Sequence, residues 1–292
     1  MLTPPDKDLP NARVAKRDLA KKFLAANIPF PDADALELVM AATRLDEAGL
    51  ILKGNLSLPP EIIAKLADYS KRRLSGEPVD HILGWREFYG RKFKVSKDVL
   101  SPRADTETLI EHTLAAMKDM DAPRILDLGT GSGAILITCL LERNDARGDG
   151  VDISPAALDI AQINASALGV DRRAQWHCGN WFTPLSKDTQ YDIIISNPPY
   201  ITPDAMQSLE REVKDYDPHI ALQGGDDGLE AYRHILSHAK NWLAPNGWIG
   251  VEIGFDQDKA VRNIFGAEGF VEIQSHRDLG GNDRVVCAIT NS

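Results

Sequence analysis

Two short loops decide the interpretation of this chain, Asp127-Leu-Gly-Thr-Gly-Ser-Gly133 and Asn197-Pro-Pro-Tyr200. Each follows an apolar run that predicts a buried strand, at residues 124–128 and 191–196. The loops that follow parallel strands lie at the edge of a sheet where ligands bind in open α/β folds. We therefore expect the two loops to meet at one sheet edge.

Short apolar strands alternate with helical stretches after residue 120. The strand candidates are residues 124–128, 148–152, 191–196, 247–252, 270–274 and 284–290. Such alternation is typical of a parallel α/β sheet covered by helices. The C-terminal part, residues 101–292, is therefore predicted to be one α/β domain.

The N-terminal part has a different pattern. Residues 1–83 carry helix-period apolar positions, and Pro31 and Pro60 stand where helices are expected to begin. Residues 88–95 alternate loosely around a glycine, which predicts a strand pair or hairpin. We expect a small all-helical domain over residues 1–83 and a β-hairpin linker over residues 84–100.

The composition excludes several classes of protein. The 292 residues are 43% apolar and 26% charged, with no apolar run long enough to cross a membrane and no signal pattern. Three widely spaced cysteines, Cys139, Cys178 and Cys287, fit neither a disulfide framework nor a zinc cluster, so a cytoplasmic location is expected.

Charge is unevenly distributed along the chain. Residues 1–100 hold 17 Lys and Arg against 14 Asp and Glu, and the remainder holds 16 against 29. An acidic catalytic part is a poor partner for a phosphate backbone, so no direct nucleic-acid binding is expected.

The first loop has the features of a cofactor site. Gly129, Gly131 and Gly133 predict a tight turn with exposed backbone N–H groups at the start of the next helix. Asp152 ends another strand about 20 residues later, where a carboxylate binds ribose hydroxyls in doubly wound folds. The indole of Trp181 is expected either to cover the cofactor or to serve as a buried anchor. A dinucleotide dehydrogenase usually has Gly-x-Gly-x-x-Gly instead, so the strict two-residue spacing favours a methyltransferase.

The second loop presents acceptors to a planar NH2 group. Asn197 offers its side-chain oxygen and Pro198 its backbone carbonyl, which Pro199 holds in an extended conformation. Tyr200 can pack on the flat acceptor. Two fixed acceptors would orient the lone pair of a weakly nucleophilic amide and stabilise the charge that develops on it. The loops together predict methyl transfer from S-adenosylmethionine to an amide or exocyclic amine nitrogen.

Two other features have both a functional and a structural interpretation. His234 and His238 have the i, i+4 spacing of a metal pair, but a third ligand is missing from the pattern, so an exposed helix face is preferred and no metal is expected. Glu252 ends a predicted strand at the same sheet edge and is expected to shape the pocket, without an assigned role.

At this point the chain resembles the peptide chain release factor glutamine methyltransferases. The resemblance covers most of residues 80–290 and is carried by the two loops and four further segments, Gly84–Gly90, Val99–Glu107, Ala221–Leu229 and Asp278–Arg284. The chain departs from the family pattern at Ala104-Asp105, where Pro-Glu is common, and at Asn180, where Asp is common. The resemblance implies a seven-stranded Rossmann-like methyltransferase sheet and S-adenosylmethionine as donor.

The resemblance also implies a substrate and a set of site residues. The substrate would be the glutamine of the Gly-Gly-Gln motif in class I peptide chain release factors, held in part by the helical domain. The donor would contact Gly129, Thr130, Gly131, Ser132, Gly133, Asp152, Trp181 and Asn197. The glutamine would contact Asn197, Pro198, Pro199, Tyr200 and Phe88, with Asn197, Pro198 and Tyr200 as the catalytic group. A ribosomal protein glutamine and the amino group of adenine in DNA or RNA remain the alternative acceptors.

Overall fold

The structure is a computed structural model that describes residues 9–291. The chain forms two compact units that divide between Gly84 and Trp85. Residues 1–8, the start of the predicted helical region, lie outside the described residues. The assignment of residues 84–100 as a linker and of residues 1–83 to substrate recognition stays a prediction.

The first unit is helical, as predicted. Its helices are α1 (Ala12–Ala25), α2 (Pro31–Thr43), α3 (Glu47–Lys53), α4 (Pro60–Leu74) and α5 (Val79–Leu83). Pro31 and Pro60 occupy the first positions of α2 and α4, where the missing N–H costs no helical hydrogen bond. Phe23, Leu38 and Leu66 are buried in the core that these helices share.

The second unit begins with the predicted hairpin, β1 (Trp85–Phe88) and β2 (Arg91–Lys94), paired antiparallel. Tyr89 and Gly90 both have positive φ, of 49° and 69°, which matches the twist of a two-residue hairpin turn. Phe88 and Phe93 pack edge to face with ring centroids 6.0 Å apart and belong to an apolar core cluster of this unit.

The predicted α/β sheet is present and has seven strands in the order β5-β4-β3-β6-β7-β9-β8. The strands are β3 (Arg124–Leu128), β4 (Arg147–Asp152), β5 (Ala174–Cys178), β6 (Tyr191–Ser196), β7 (Leu243–Glu252), β8 (Val271–Arg277) and β9 (Asp283–Ile289). The helices of this unit are α6 (Glu107–Ala116), α7 (Ala134–Glu142), α8 (Pro155–Leu168), α9 (Pro203–Gln207), α10 (Arg211–Tyr216), α11 (Glu230–Ala239) and α12 (Asp258–Ala267).

One strand, β9, differs from the expectation of a parallel sheet. β9 pairs antiparallel with both β7 and β8, whereas β3 to β7 pair parallel. The physical reason is the connection between β8 and β9, residues 278–282, because a parallel crossover needs a dozen residues or more.

Strand β3 is covered on both faces. Ile125 belongs to one core cluster and Leu126 to another, and Ile193 and Ile194 of β6 divide in the same way. Successive side chains of a strand point to opposite faces, so each strand contributes to both clusters. Continuous apolar runs such as residues 191–196 are therefore the expected sequence of these central strands.

The two loops leave the sheet at its topological switch point. β3 pairs with β4 on one side and with β6 on the other, and Leu128 lies opposite Ser196. The Ser196 hydroxyl donates to the Leu128 carbonyl at 2.7 Å. Gly129 and Asn197 therefore follow paired residues of adjacent strands, in the crevice where open α/β sheets bind ligands.

Candidate active site

The loop after β3 is closed by its own hydrogen bonds. The N–H groups of Gly129 and Thr130 donate to the Val151 carbonyl at 2.9 and 3.0 Å. The N–H of Gly131 donates to Asp152 Oδ2 at 2.8 Å. The prediction that the loop exposes its N–H groups to a ligand is therefore wrong for these three, because the next strand satisfies them.

The glycines of this loop serve two other needs. Gly131 has a φ of +55° and no atom within 4 Å of the place where a Cβ would stand, so the side of the loop is left open. Gly133 has a φ of +77°, and a Cβ there would lie 2.9–3.1 Å from Ile137, Trp176 and Ala161. Gly133 therefore permits close packing of the loop against these three side chains.

A buried carboxyl at the end of β3 supports the cofactor loop, which is the segment 129–133. Asp127 is fully buried, and the Thr130 hydroxyl donates to its Oδ2 at 2.6 Å. Burial raises the pKa of Asp127 to about 7. The pair ties the end of β3 to the middle of the loop.

Asp152 lies at the end of β4, half-buried at the edge of the crevice. Its two oxygens accept from the N–H groups of Gly131 and Ser154 at 2.8 and 2.9 Å. Burial raises the pKa of Asp152 above its ordinary value. The carboxylate is thereby fixed beside Gly131, and each oxygen has a further lone pair for ligand hydroxyls.

Trp181 packs as a partly buried anchor and also lines the cavity, and its predicted contact with the cofactor stays a prediction. It is half-buried against an apolar core cluster, and its ring lies 3.8 Å from the Cβ position of Gly129. Its φ of 49° is unusual for a large side chain, a strain typical of functional sites. The ring centroid lies 6.3 Å from that of His234.

These residues line a cavity of about 430 Å³, within the range of small-molecule sites. Nine of the predicted site residues line it: Phe88, Gly129, Thr130, Gly131, Ser132, Asp152, Trp181, Asn197 and Pro199. A carboxylate, an indole and an open glycine loop suit the ribose and the flat base of a nucleoside. The residues present therefore fit S-adenosylmethionine.

The loop after β6 lies at the same cavity. Asn197 is half-buried and lines it, whereas Pro198 is buried. The hydroxyl of half-buried Tyr200 points at Glu252, with Oη 3.5 Å from Glu252 Oε1. Pro198, Tyr200 and Gly133 are not among the cavity-lining residues, and their predicted contacts with ligands stay predictions.

A segment from beyond α10 holds this loop in place. The Ile201 N–H donates to the Leu222 carbonyl at 2.8 Å, and the Gly224 N–H donates to the Ile201 carbonyl at 2.9 Å. A Cβ on Gly224 would lie 2.6 Å from the Cα of Tyr200, so only glycine fits there. Gln257 adds a hydrogen bond of 3.2 Å from its Nε2 to the Tyr200 carbonyl.

Two residues behind Asn197 were not predicted as site residues. The Asn197 Nδ2 donates to Thr106 Oγ1 at 3.4 Å, and the Thr106 hydroxyl donates to Glu252 Oε2 at 2.6 Å. Glu252 is fully buried, and burial raises its pKa to about 7. Thr106 lies in a segment that carries the family resemblance, but no local spacing links it to Glu252.

A salt bridge joins two of the resemblance segments, Val99–Glu107 and Asp278–Arg284. Arg284 Nη2 lies 3.2 Å from Asp105 Oδ2 and 3.0 Å from Asp278 Oδ2. Arg103, which lines the cavity, donates to Asp217 at 2.8 Å. Asp105 stands where the family commonly has Glu, and it still supplies an acid that pairs with Arg284.

His234 and His238 stack on each other with ring centroids 4.7 Å apart, and His234 lines the cavity. Burial lowers the pKa of His234. Residues 9–291 contain no group of three or more His, Cys, Asp or Glu side chains that could hold a metal ion. Within the same residues, no helix has the length and apolar character needed to span a bilayer.

Two family models match parts of this chain. Residues 103–213 match the family model for the Methyltransferase small domain, and residues 17–84 match that for the PrmC N-terminal domain. The fold of the Pyrococcus furiosus methyltransferase crystal structure is similar, with a TM-score of 0.51, 14% identity, and coverage of 77% of this chain and 100% of that one.

Curated relatives match over nearly the whole length. The release factor glutamine methyltransferase of Agrobacterium fabrum is 43% identical over 91% of this chain and 93% of its own length. That of Cereibacter sphaeroides is 42% identical over 94% of this chain and 96% of its own length. With a cofactor cavity and an Asn-Pro-Pro-Tyr loop at one sheet edge and such identity throughout, the chain belongs to the release factor glutamine methyltransferase family.

Proposed function

We propose that this enzyme transfers a methyl group from S-adenosylmethionine to the side-chain amide nitrogen of the glutamine in the Gly-Gly-Gln motif of class I peptide chain release factors. The observation that carries the proposal is the adjacency of Gly129 and Asn197, which follow the paired residues Leu128 and Ser196. Both line one cavity, so a donor and a flat amide can meet there.

The main task of the enzyme in this reaction is to position the amide nitrogen of the glutamine. The lone pair of an amide nitrogen is delocalised into its carbonyl, which makes the nitrogen a weak nucleophile. Acceptors at the Asn197 side-chain oxygen and the Pro198 carbonyl would bind the two amide hydrogens and stabilise positive charge on the nitrogen. S-adenosylmethionine supplies a methyl group on a positively charged sulfur.

The remaining predicted contacts are part of the same proposal. Gly129–Gly133, Asp152 and Trp181 bind the donor, Asp152 through its remaining lone pairs and Trp181 through its ring. Pro199, Tyr200 and Phe88 form the wall against which the glutamine packs. Phe88 is supported in this role by its place at the cavity, where the hairpin and the cofactor loop both contribute.

The helical unit, residues 1–83, is proposed to bind the release factor. Its match to a family N-terminal model and the absence of any catalytic constellation in its sequence support a recognition role. Because release factors work with the ribosome, we place the enzyme in the cytoplasm. The excess of acidic residues after residue 100, 29 against 16 Lys and Arg, supports a protein substrate over a nucleic acid.

The test supplies the enzyme with donor carrying a labelled methyl group and one acceptor at a time. The acceptors are a class I release factor, the same factor with Ala in place of the motif glutamine, a ribosomal protein fraction, RNA and DNA. The site of labelling is found by peptide mass mapping. We expect label on the motif glutamine and none on the Ala variant. Label on a ribosomal protein glutamine or on adenine would overturn the proposal.

A further inference from the structure

We propose that Thr106 and Glu252 are positioning residues, which turn the Asn197 carboxamide so that its oxygen faces the substrate. The inference rests on the proposed function and adds the reason why Asn197 presents an acceptor and not a donor. Thr106 lines the cavity, and Glu252 lies behind it, 146 residues away in sequence.

The sheet brings these residues together. Ser196 pairs with Val251, so Asn197 and Glu252 follow paired residues at the ends of β6 and β7. Thr106 ends the 3₁₀ turn Ala104–Thr106, immediately before α6. A site carried on the ends of strands and a helix is held more precisely than one carried on loops alone.

The direction of the hydrogen bonds follows from what each group can donate. A carboxylate oxygen only accepts, so Glu252 takes the single hydrogen of the Thr106 hydroxyl. The Thr106 oxygen is then left as an acceptor, and Asn197 must turn its nitrogen towards it. The opposite orientation would place two acceptor oxygens against each other.

Glu252 is held as an acceptor from a second side. Burial raises the pKa of Tyr200, so its hydroxyl keeps its proton and can donate to Glu252 Oε1. A proton on Oε1 would still leave Oε2 able to accept from Thr106. The direction of the hydrogen bonds from Asn197 to Glu252 is therefore the same for the ionised carboxylate and for a carboxyl that carries its proton on Oε1.

The test compares threonine variants with a matched control. Thr106→Val and Thr106→Ala remove the hydroxyl, and Thr106→Ser keeps it. Thr113→Val is the control, since Thr113, in α6, is buried like Thr106, but its hydroxyl donates to the Leu109 carbonyl of its own helix at 2.7 Å. Methylation of a class I release factor and donor Kd are measured for each.

We expect Thr106→Val and Thr106→Ala to lower kcat about tenfold, the usual cost of one unpaired buried group, with donor Kd changed less than about twofold. Thr106→Ser should restore most of kcat, and Thr113→Val should leave it unchanged. A kcat for both Thr106 variants equal to that of Thr113→Val would overturn the inference. If the wild-type enzyme does not label the release factor, it is the proposed function that fails.

A double-variant cycle separates positioning from a general structural role. If Thr106 acts through Asn197, Thr106→Val should cause no further loss of kcat in an Asn197→Ala background. An undiminished tenfold loss in that background would mean that Thr106 acts elsewhere, and the inference would be wrong.

Discussion

The two halves of the site each contain a buried carboxyl bonded to a threonine hydroxyl. Thr130 donates to Asp127 at 2.6 Å behind the cofactor loop. Thr106 donates to Glu252 at 2.6 Å behind the acceptor loop, Asn197-Pro-Pro-Tyr200. The first pair is separated by 3 residues of sequence and the second by 146. One half is therefore built from local sequence, and the other is assembled by the fold.

This difference extends to the loops themselves. The cofactor loop is closed by bonds to Val151 and Asp152, at the end of the next strand in sequence. The acceptor loop depends on partners from the 3₁₀ turn before α6, from β7, from the segment at Gly224 and from Gln257, the residue before α12. We expect damage to the acceptor half to lower turnover, and damage to the cofactor half to weaken donor binding.

The largest effect is expected for Asn197→Ala. Loss of one of two acceptors for the amide should lower kcat about 100-fold or more, in line with the removal of a single group from a preorganised electrostatic site. Donor Kd should change less than about threefold, because the cofactor loop closes on its own. Steady-state kinetics and calorimetric donor titration measure the two quantities. A kcat close to that of the wild type would refute the role of Asn197.

The buried carboxyls give the next effect, on stability. Both pKa values lie near 7, above those of unfolded Asp and Glu, so the folded protein binds protons more tightly than the unfolded chain. Their contribution to stability is greatest at low pH and is lost as pH rises from about 4 to 7. Each carboxyl should lower the free energy of unfolding of the wild type by on the order of 3 kcal/mol over that window. Glu252→Gln and Asp127→Asn should each abolish one of these two pH-dependent losses.

Urea unfolding at pH 5 and pH 8 measures this effect. All 5 tryptophans follow Gly84, so their fluorescence reports on the second unit. Each variant should gain stability relative to the wild type as the pH is raised. A gain in only one of the two variants would show that the two buried carboxyls do not contribute to stability in the same way.

Gly224→Ala tests the support of the acceptor loop. The added Cβ would lie 2.6 Å from Tyr200 Cα and 2.8 Å from the Pro199 oxygen, so the backbone must shift. Overpacking of this kind costs about 1–3 kcal/mol, and we expect kcat to fall about 30-fold. Gly266→Ala is the control, since its Cβ would meet a single atom at 3.9 Å. Equal kcat for both variants would show that Gly224 does not hold the loop.

The smallest effect is expected for Asp152→Asn. Asparagine has one acceptor oxygen, so it cannot satisfy both Gly131 and Ser154, and donor Kd should rise about tenfold. At saturating donor, kcat should fall less than about threefold. Asp159→Asn, on the exposed side of α8, removes the same charge as a control. A fall in kcat with an unchanged donor Kd would show that Asp152 serves turnover and not donor binding.

The sequence predicted which residues of the cofactor half lie together, because the geometry that joins them is local. Three glycines after a strand and an acid at the end of the next one require only the rules of strand, turn and helix, and the structure places Gly129, Gly131 and Asp152 together. The sequence did not predict that N–H groups of this loop donate to Val151 and Asp152, because these bonds depend on the pairing of β3 with β4.

The acceptor half was predicted only in part. The tetrapeptide itself is recognisable, but the roles of Thr106, Gly224 and Gln257 arise from contacts across the fold. Glu252 was noticed at a strand end, yet its partner lies 146 residues away. The antiparallel β8–β9 pair was missed in the same way, because apolar runs do not reveal strand direction.

The most direct test of the central claim is a crystal structure of the enzyme with S-adenosylhomocysteine and a Gly-Gly-Gln peptide from a release factor. We expect the glutamine amide nitrogen to lie about 3 Å from both the Asn197 side-chain oxygen and the Pro198 carbonyl. An amide held by other groups, with those two oxygens turned away from it, would show that the Asn-Pro-Pro-Tyr loop does not position the substrate.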